Sequence, residues 1–223
     1  MKYYAIIVAG GSGSRMQSDI PKQFMLLNGK PVIMHTIEAF YHSDIHPEII
    51  LVLNNNFHNY WKELCSTFQF TIPHTLVKGG EQRFDSVKNG LNSIKSEAII
   101  AIHDAVRPLV SNELISKTFR EAEISGSAVA AVKSKDSVRQ QQGSQTIPLN
   151  RDEIFLIQTP QVFSSSILNK AYKQEYRSAF TDDASVVEQS GVQVKLTEGE
   201  LKNIKITFPE DILLAEYYLS FRQ

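Results

Sequence analysis

Residues 3–24, YYAIIVAGGSGSRMQSDIPKQF, decide the fold. YYAIIVA (3–9) is apolar without alternation, the pattern of a strand buried on both faces. Glycines follow at 10, 11 and 13, then Arg15, Pro21 and Lys22. The loop fits neither of the two widespread phosphate patterns. A Walker A loop needs G-x-x-x-x-G-K-[ST], and no such Gly-Lys pair follows Gly10. A dinucleotide fingerprint needs G-x-G-x-x-G; Gly11 and Gly13 match, but Met16 holds the third position. Only Asn28 and Lys30 stand where an acid is expected, about 20 residues on. What remains is a tight turn whose glycines let backbone N–H groups approach an anion. Arg15 and Lys22 add two charges from the same segment, and Pro21 restricts Ile20 and helps aim Lys22. Taken alone, the stretch also reads as a surface loop with solvated basic residues.

Outward from this loop, short apolar runs alternate with amphipathic ones. Strands are expected at 48–53, 74–80, 98–104 and 127–132. Helices are expected at 32–43 (Ile33, Ile37, Phe40 and Tyr41 on one face), around Trp61, at 83–94 (Phe84, Val87, Leu91 and Ile94 inward) and at 112–125. Ser111 and Glu113 suit the start of that last helix. The rhythm resumes with EIFLIQTPQVF, a helix near 164–175, FTDDASVVEQSG, VQVKLTEG and NIKITFPEDILLAEYYLSFR. In the last stretch Thr207 and Glu210 have capping-box spacing, with Pro209 just inside the helix. This order predicts an α/β fold: a Rossmann-like, mostly parallel sheet with helices on both faces. One domain spans 1–223. Residues 133–150, KSKDSVRQQQGSQTIPLN, break the rhythm; their composition leaves a floppy loop and a projecting hairpin equally open.

The composition narrows the function. The chain has 223 residues, 42% hydrophobic content and a net charge of −1. No basic excess suggests a nucleic-acid partner, and no run approaches the roughly 20 apolar residues of a membrane span. A single cysteine allows no internal disulfide and fits a cytoplasmic setting. Cys65 falls on an apolar helical stripe with Phe57, Tyr60, Trp61, Leu64 and Phe68, which makes it a core residue rather than a catalytic thiol. His42 and His46 have i, i+4 spacing, but Pro47 follows and no third ligand is near.

Parallel sheets bind ligands beyond the carboxyl ends of their strands. Several chemistry-bearing stretches fall there: the glycine loop, GGEQRFDS (79–86) with Glu81, Arg83 and Ser86, and HDAVRP (103–108) with Asp104 and Arg107. NIKITFPED is expected to place Lys205 in a strand that leads to a helix. Arg15, Lys22, Arg107 and Lys205 concentrate cations on a chain of net charge −1, which suits a multiply phosphorylated ligand.

AGGSGSRM, PKQF, HDAVRP, QTPQVF, TDDAS and NIKIT-x-PED stand in the order found in nucleotidyltransferases of isoprenoid biosynthesis. The chain resembles the 2-C-methyl-D-erythritol 4-phosphate cytidylyltransferase family over essentially its whole length. Ribitol-5-phosphate cytidylyltransferases share most of the motifs and are the alternative. A non-catalytic nucleotide sensor is a remoter one, because it would be expected to lose Arg15, Lys22 or Lys205.

The resemblance implies a nucleotide-diphospho-sugar-transferase-like fold and transfer of CMP from CTP to the polyol phosphate, with release of pyrophosphate. It implies that Arg15, Lys22 and Lys205 stabilise the reacting phosphates. Ala9, Gly10, Gly11, Gly80, Glu81 and Ser86 would bind the nucleotide; the family often has Asp where Glu81 stands. Asp104, Arg107, Thr159, Thr181 and Thr207 would line the acceptor side, although capping or strand packing would account for the threonines equally well. Mg²⁺, or another divalent cation, is implied as cofactor; Asp104 is the candidate ligand, and no dedicated carboxylate pair stands out. The insert at about 133–154 would be a β-arm that crosses to a second subunit of a homodimer. Arg151 would reach the acceptor phosphate of the partner's site, and Ser137 replaces a family threonine.

Overall fold

β1 (Lys2–Ala9) is buried from Tyr4 onward. Ala5, Ile7 and Ala9 enter one apolar cluster, and Tyr4, Ile6 and Val8 enter another on the opposite face of the sheet. A strand covered on both sides has no polar face to show, which is why it reads as a continuous apolar run. The structure is a computed structural model that describes residues 1–9 and 20–221. Gly10, Gly11 and Arg15 of the glycine loop lie outside the described residues.

Beyond that loop, β2 (Leu26–Leu27) and β3 (Lys30–Pro31) form a small hairpin that leads into α1 (Val32–Tyr41). There follow β4 (Glu48–Leu53), α2 (His58–Thr67), β5 (Thr75–Lys78), α3 (Arg83–Asn92), β6 (Ala98–Asp104), α4 (Asn112–Ser125) and β7 (Ser127–Lys133). The insert is a hairpin of β8 (Val138–Gln142) and β9 (Gln145–Leu149). The chain returns through β10 (Phe155–Ser164), α5 (Ser165–Ala171), α6 (Asp183–Gln189), β11 (Leu196–Glu198) and α7 (Glu210–Leu219).

The main sheet runs in the order β11-β7-β10-β6-β1-β4-β5. α1, α2 and α4 bring Ile33, Phe40, Trp61 and Phe119 against one face, and α3, α5 and α6 bring Phe84, Val87, Leu168 and Val187 against the other. Within this sheet β10 is the reversed strand, antiparallel to both β6 and β7. Its apolar sequence reads like a parallel strand, but direction is set by the connection. The arm leaves β7 and returns without a crossover helix, so the next strand comes back antiparallel. Reversal puts the beginning of β10, not its end, at the ligand-binding edge.

The cap of α4 is as the sequence suggests: the Ser111 hydroxyl accepts from the Leu114 N–H at 3.0 Å. Three local expectations change. Tyr41 is 39% exposed, because it is the last helical residue and the chain turns away from the sheet at His42. Lys205 lies on an extended connecting segment, not in a strand; Ile206 makes one backbone bond there, to the Val106 carbonyl at 2.9 Å. The capping box does not form. Pro209 is the N-cap, the Thr207 hydroxyl donates to the Lys205 carbonyl, and the Asp211 carboxylate accepts from the Thr207 and Phe208 N–H groups at 2.7 and 2.8 Å. An acid one residue later reaches two orphan donors at once, which Glu210 does not. Asp211→Ala should therefore cost about 1 kcal/mol in urea unfolding, and Glu210→Ala less. The reverse ranking would restore the Thr207–Glu210 box.

Candidate active site

Asp104 closes β6 at the carboxyl edge of the sheet, and its side chain is largely buried. Three cations from three elements face it. Lys205 Nζ lies 2.9 Å from the carboxylate, Arg83 Nε 3.5 Å and Arg107 Nε 3.6 Å. Burial alone would raise the Asp104 carboxyl; Arg83, Lys205 and Arg107 more than reverse this and hold it well below the usual carboxylate range. Asp104 is therefore an anion at any physiological pH, and its role is to hold cations rather than to pass protons.

Each cation is fixed a second time. Arg83, at the first turn of α3, makes a two-pronged pair with Asp183, at 2.8 and 2.6 Å. Asp183 is fully buried and also accepts from the Tyr172 hydroxyl at 2.6 Å. Burial would lower the Arg83 pKa, and the Asp183 and Asp104 charges raise it instead. Arg107 Nη1 donates to the Asn203 carbonyl at 2.8 Å. Lys205 rides on the extended segment that Lys22 grips from the other side, for Lys22 Nζ donates to the Ile206 carbonyl at 3.0 Å. Gln23, next to Lys22, is buried and donates to the Ala9 carbonyl at 3.1 Å, which fastens the far end of the glycine loop to the end of β1.

The structure thus joins Arg83, Arg107 and Lys205 at Asp104, while Lys22 and Thr207 bond to the backbone of the segment that carries Lys205. Thr159 joins them: its hydroxyl accepts from the Asp104 N–H at 3.1 Å. That buried bond is a packing role, and it leaves Thr159 as the brace under Asp104. Gly80, Glu81 and Ser86 lie in the neighbouring β5–α3 turn. The Ser86 hydroxyl accepts from the Gly80 N–H at 3.0 Å and donates to the Gln82 carbonyl at 3.1 Å. A Cβ on Gly80 would come within 2.2 Å of Asp85 Cβ, so the turn closes only around glycine. Glu81 is exposed at its tip. Thr181 is exposed on the rim of a cavity of about 210 Å³ lined also by Arg83, Phe84, Tyr172, Phe180 and Asp182. Ser137 and Arg151 are exposed at the root of the arm, and among the described residues no contact joins them to the Asp104 cluster within one chain.

Arg83 and Asp183 are the residues sequence reasoning left without a role. Arg83 was visible as one more loop cation. Its partner lies 100 positions away, and nothing in TDDAS distinguishes an arginine-binding acid from an ordinary one at a helix start. Three cations (Arg83, Arg107, Lys205) face the one carboxylate of Asp104, an arrangement that suits a polyphosphate. Among the described residues no three His, Cys, Asp or Glu side chains come together to hold a metal ion. The Asp104 carboxylate is itself faced by three cations, so the residues present do not fit an ion caged by protein carboxylates.

With this geometry in view, the comparisons with known proteins agree. The family model for 2-C-methyl-D-erythritol 4-phosphate cytidylyltransferase matches residues 3–221. The chain belongs to this family. Cytidylyltransferases of that description from Phocaeicola vulgatus and Bacteroides fragilis are 49% and 47% identical, over 97% and 96% of this chain and 99% and 98% of theirs. The solved 4-diphosphocytidyl-2C-methyl-D-erythritol synthase from Anaerococcus prevotii superposes with a TM-score of 0.83 at 31% identity, covering 98% of this chain and 96% of that one. Membership of the cytidylyltransferase family accounts for a site in which, among the described residues, cations rather than a Ser, Cys or His nucleophile face Asp104.

His103, beneath this cluster, gives a pH test. It is fully buried; Nε2 meets the Arg107 carbonyl at 3.1 Å and Nδ1 has no partner. Burial pushes its pKa down to about 3. The unfolded chain takes up this proton near pH 6.5, the folded chain near 3. Between those values the unfolded state binds more protons, so stability rises with pH and is lost on acidification. Unfolding free energy should fall below pH 6.5 by up to about 1.4 kcal/mol per pH unit from this one group. His103→Gln should flatten that slope, leaving the smaller part due to His35, whose pKa burial also lowers. An unchanged slope between pH 6 and 4.5 would mean that His103 is not held neutral.

Proposed function

We propose that this protein transfers CMP from CTP to 2-C-methyl-D-erythritol 4-phosphate, releasing pyrophosphate. The observation that carries the reading is the convergence of Arg83, Arg107 and Lys205 on Asp104 at the carboxyl edge of the sheet, with Lys22 bonded to the Ile206 carbonyl beside Lys205. An oxygen of the acceptor phosphate attacks the α-phosphorus of CTP in line. The new P–O bond forms as the bond to the bridging oxygen breaks, and pyrophosphate leaves with the electron pair. A phosphomonoester with a second pKa of about 6 is already largely ionised at neutral pH and needs no general base. The protein's task is to bring two anions together and to meet the charge that builds on the transferred and departing groups. Lys22 and Lys205, with Arg15 from the glycine loop, take that charge. Asp104 keeps Lys205 and Arg107 aimed. The β5–α3 turn of Gly80, Glu81 and Ser86 receives the cytidine, and Thr181 and Arg107 face the acceptor. The protein offers no carboxylate cage for a divalent cation among the described residues, so Mg²⁺ or another divalent cation would come with the nucleotide and would supply charge neutralisation at the phosphates.

The working unit in this reading is a homodimer, in a cytoplasmic setting. β8 and β9 pair with each other and with no other described strand, and their residues are exposed almost throughout. A lone hairpin is marginal in water. At its root Phe155, Leu156 and Ile157 are 41%, 53% and 39% exposed, beside an apolar groove of about 600 Å³ between β7, β10 and β11. A second subunit covers this surface and receives Arg151 in its acceptor site.

A pyrophosphate-release assay with CTP tests the reaction. Methylerythritol phosphate should be turned over in strong preference to ribitol 5-phosphate, and CTP in preference to UTP and ATP; preference for ribitol 5-phosphate would reject the acceptor. Lys22→Ala and Lys205→Ala should each lower kcat about 10²–10³-fold while the protein stays folded; near-normal turnover would remove that residue from the machinery. Arg151→Ala should raise KM for the acceptor and spare that for CTP. Mixed dimers of Lys22→Ala and Arg151→Ala subunits should regain activity, and no recovery in proven heterodimers would count against shared sites.

A further inference from the structure

β10 carries two buried glutamines, Gln158 and Gln161, on either side of Thr159 and Pro160. A glutamine inside a covered strand is costly unless its amide is bonded. Here both amides are used, and they hold two different loops.

Gln158 holds the segment before Lys205. Its Oε1 accepts from the Glu200 N–H at 3.2 Å, and its Nε2 donates to the Glu200 carbonyl at 2.8 Å. Gly199 lies so close that a Cβ there would stand 2.4 Å from Gln158 Oε1, and its N–H donates to the Ala131 carbonyl at 2.8 Å. Asn203, at the other end of the segment, is fully buried; it donates to the Thr159 carbonyl and accepts from Arg107, each at 2.8 Å. Residues 199–203 are thus clamped onto β7 and β10, and Lys205 follows two positions later.

Gln161 holds the turn that follows Thr181. Its Nε2 donates to Asp182 Oδ2 at 2.9 Å, and its Oε1 accepts from the Ala184 N–H at 2.8 Å. Asp182 in turn caps α6 through the Ser185 N–H at 2.9 Å. The two ends of the Gln161 amide therefore fix the residues on either side of Asp183, the acid that grips Arg83.

We infer that Gln158 and Gln161 are positioning residues for separate parts of the reaction: Gln158 sets Lys205 against the reacting phosphates, and Gln161 sets Thr181 and Asp183 on the acceptor side. The inference rests on the roles proposed above for Lys205 and Thr181. Two glutamines that served stability alone would give variants with parallel losses. Two that position different groups give variants with different kinetic signatures.

The test is steady-state kinetics on Gln158→Met and Gln161→Met dimers, each substrate varied in turn, with thermal unfolding alongside. Gln158→Met should lower kcat about 10–10²-fold, the scale of an ångström's misplacement, with both KM values within about twofold of wild type. Gln161→Met should raise the acceptor KM about tenfold and leave the CTP KM within about twofold. If either protein fails to fold, Gly199→Ala displaces the same segment from Gln158. Asp182→Asn keeps the cap oxygen of α6 but sets a donor against Gln161 Nε2. Each should show the signature of the glutamine it replaces. Parallel losses in kcat and both KM values, or normal kinetics at reduced melting temperature, would overturn the inference. Lys205→Ala and Thr181→Val run beside them. If those two show their own kcat and acceptor-KM effects and the glutamine variants do not, the positioning idea alone has failed. If Lys205→Ala keeps full kcat, the reading of the site falls and the inference with it.

Discussion

One buried carboxylate organises the catalytic edge. Asp104 draws Arg83 from the start of α3, Arg107 from its own loop and Lys205 from the segment before α7. Cations so close together repel one another, and only an anion among them lets all three stay. Its price is desolvation, offset by those same cations and by the Thr159 hydroxyl under its backbone. Removing one member leaves the others unbalanced, so the site stands or falls as a unit. A polyphosphate brings further negative charge to this array, with Lys22 already at its side.

The scaffold explains how residues so far apart in sequence reach one place. β1 and β6 are central neighbours whose carboxyl ends bring Val8 and Asp104 side by side. The reversed β10 slots between β6 and β7 and begins at that same edge. Its polar residues Gln158, Thr159 and Gln161 then sit among loops that parallel strands reach only with their ends. The arm that causes the reversal also leaves Arg151 exposed at its root, and among the described residues nothing joins it to the Asp104 cluster.

Much of this was legible in the sequence. Apolar runs placed the central strands 48–53 and 98–104 to the residue, because burial on both faces leaves a strong local mark, whereas the helix expected near 164–175 covers only Ser165–Ala171. The Ser111 cap was legible for the same reason, being a contact three residues long. The cation-bearing loops could be placed at one edge by the strand-end rule alone. Direction, partners and division of labour were not legible. Nothing in EIFLIQTPQVF says that it runs backwards, since the connection decides that. The pairing of Arg83 with Asp183 spans 100 positions, and local pattern carries no information over that distance. The Thr207–Glu210 spacing failed because Asp211 has the better reach. Thr159 showed itself as a site residue by motif, while its hydroxyl turned out to be occupied by backbone.

The bond from Lys22 to the Ile206 carbonyl ties positions 184 residues apart. Its consequence concerns the order in which the molecule is made. The ribosome delivers β1, β4, β5 and β6 ahead of the segment that carries Lys205. The lysine pair does not exist until the segment around Lys205 has emerged and closed against Lys22. A chain interrupted ahead of Lys205 therefore has Lys22 and Asp104 but lacks both the carbonyl that Lys22 bonds and the lysine that pairs with Asp104.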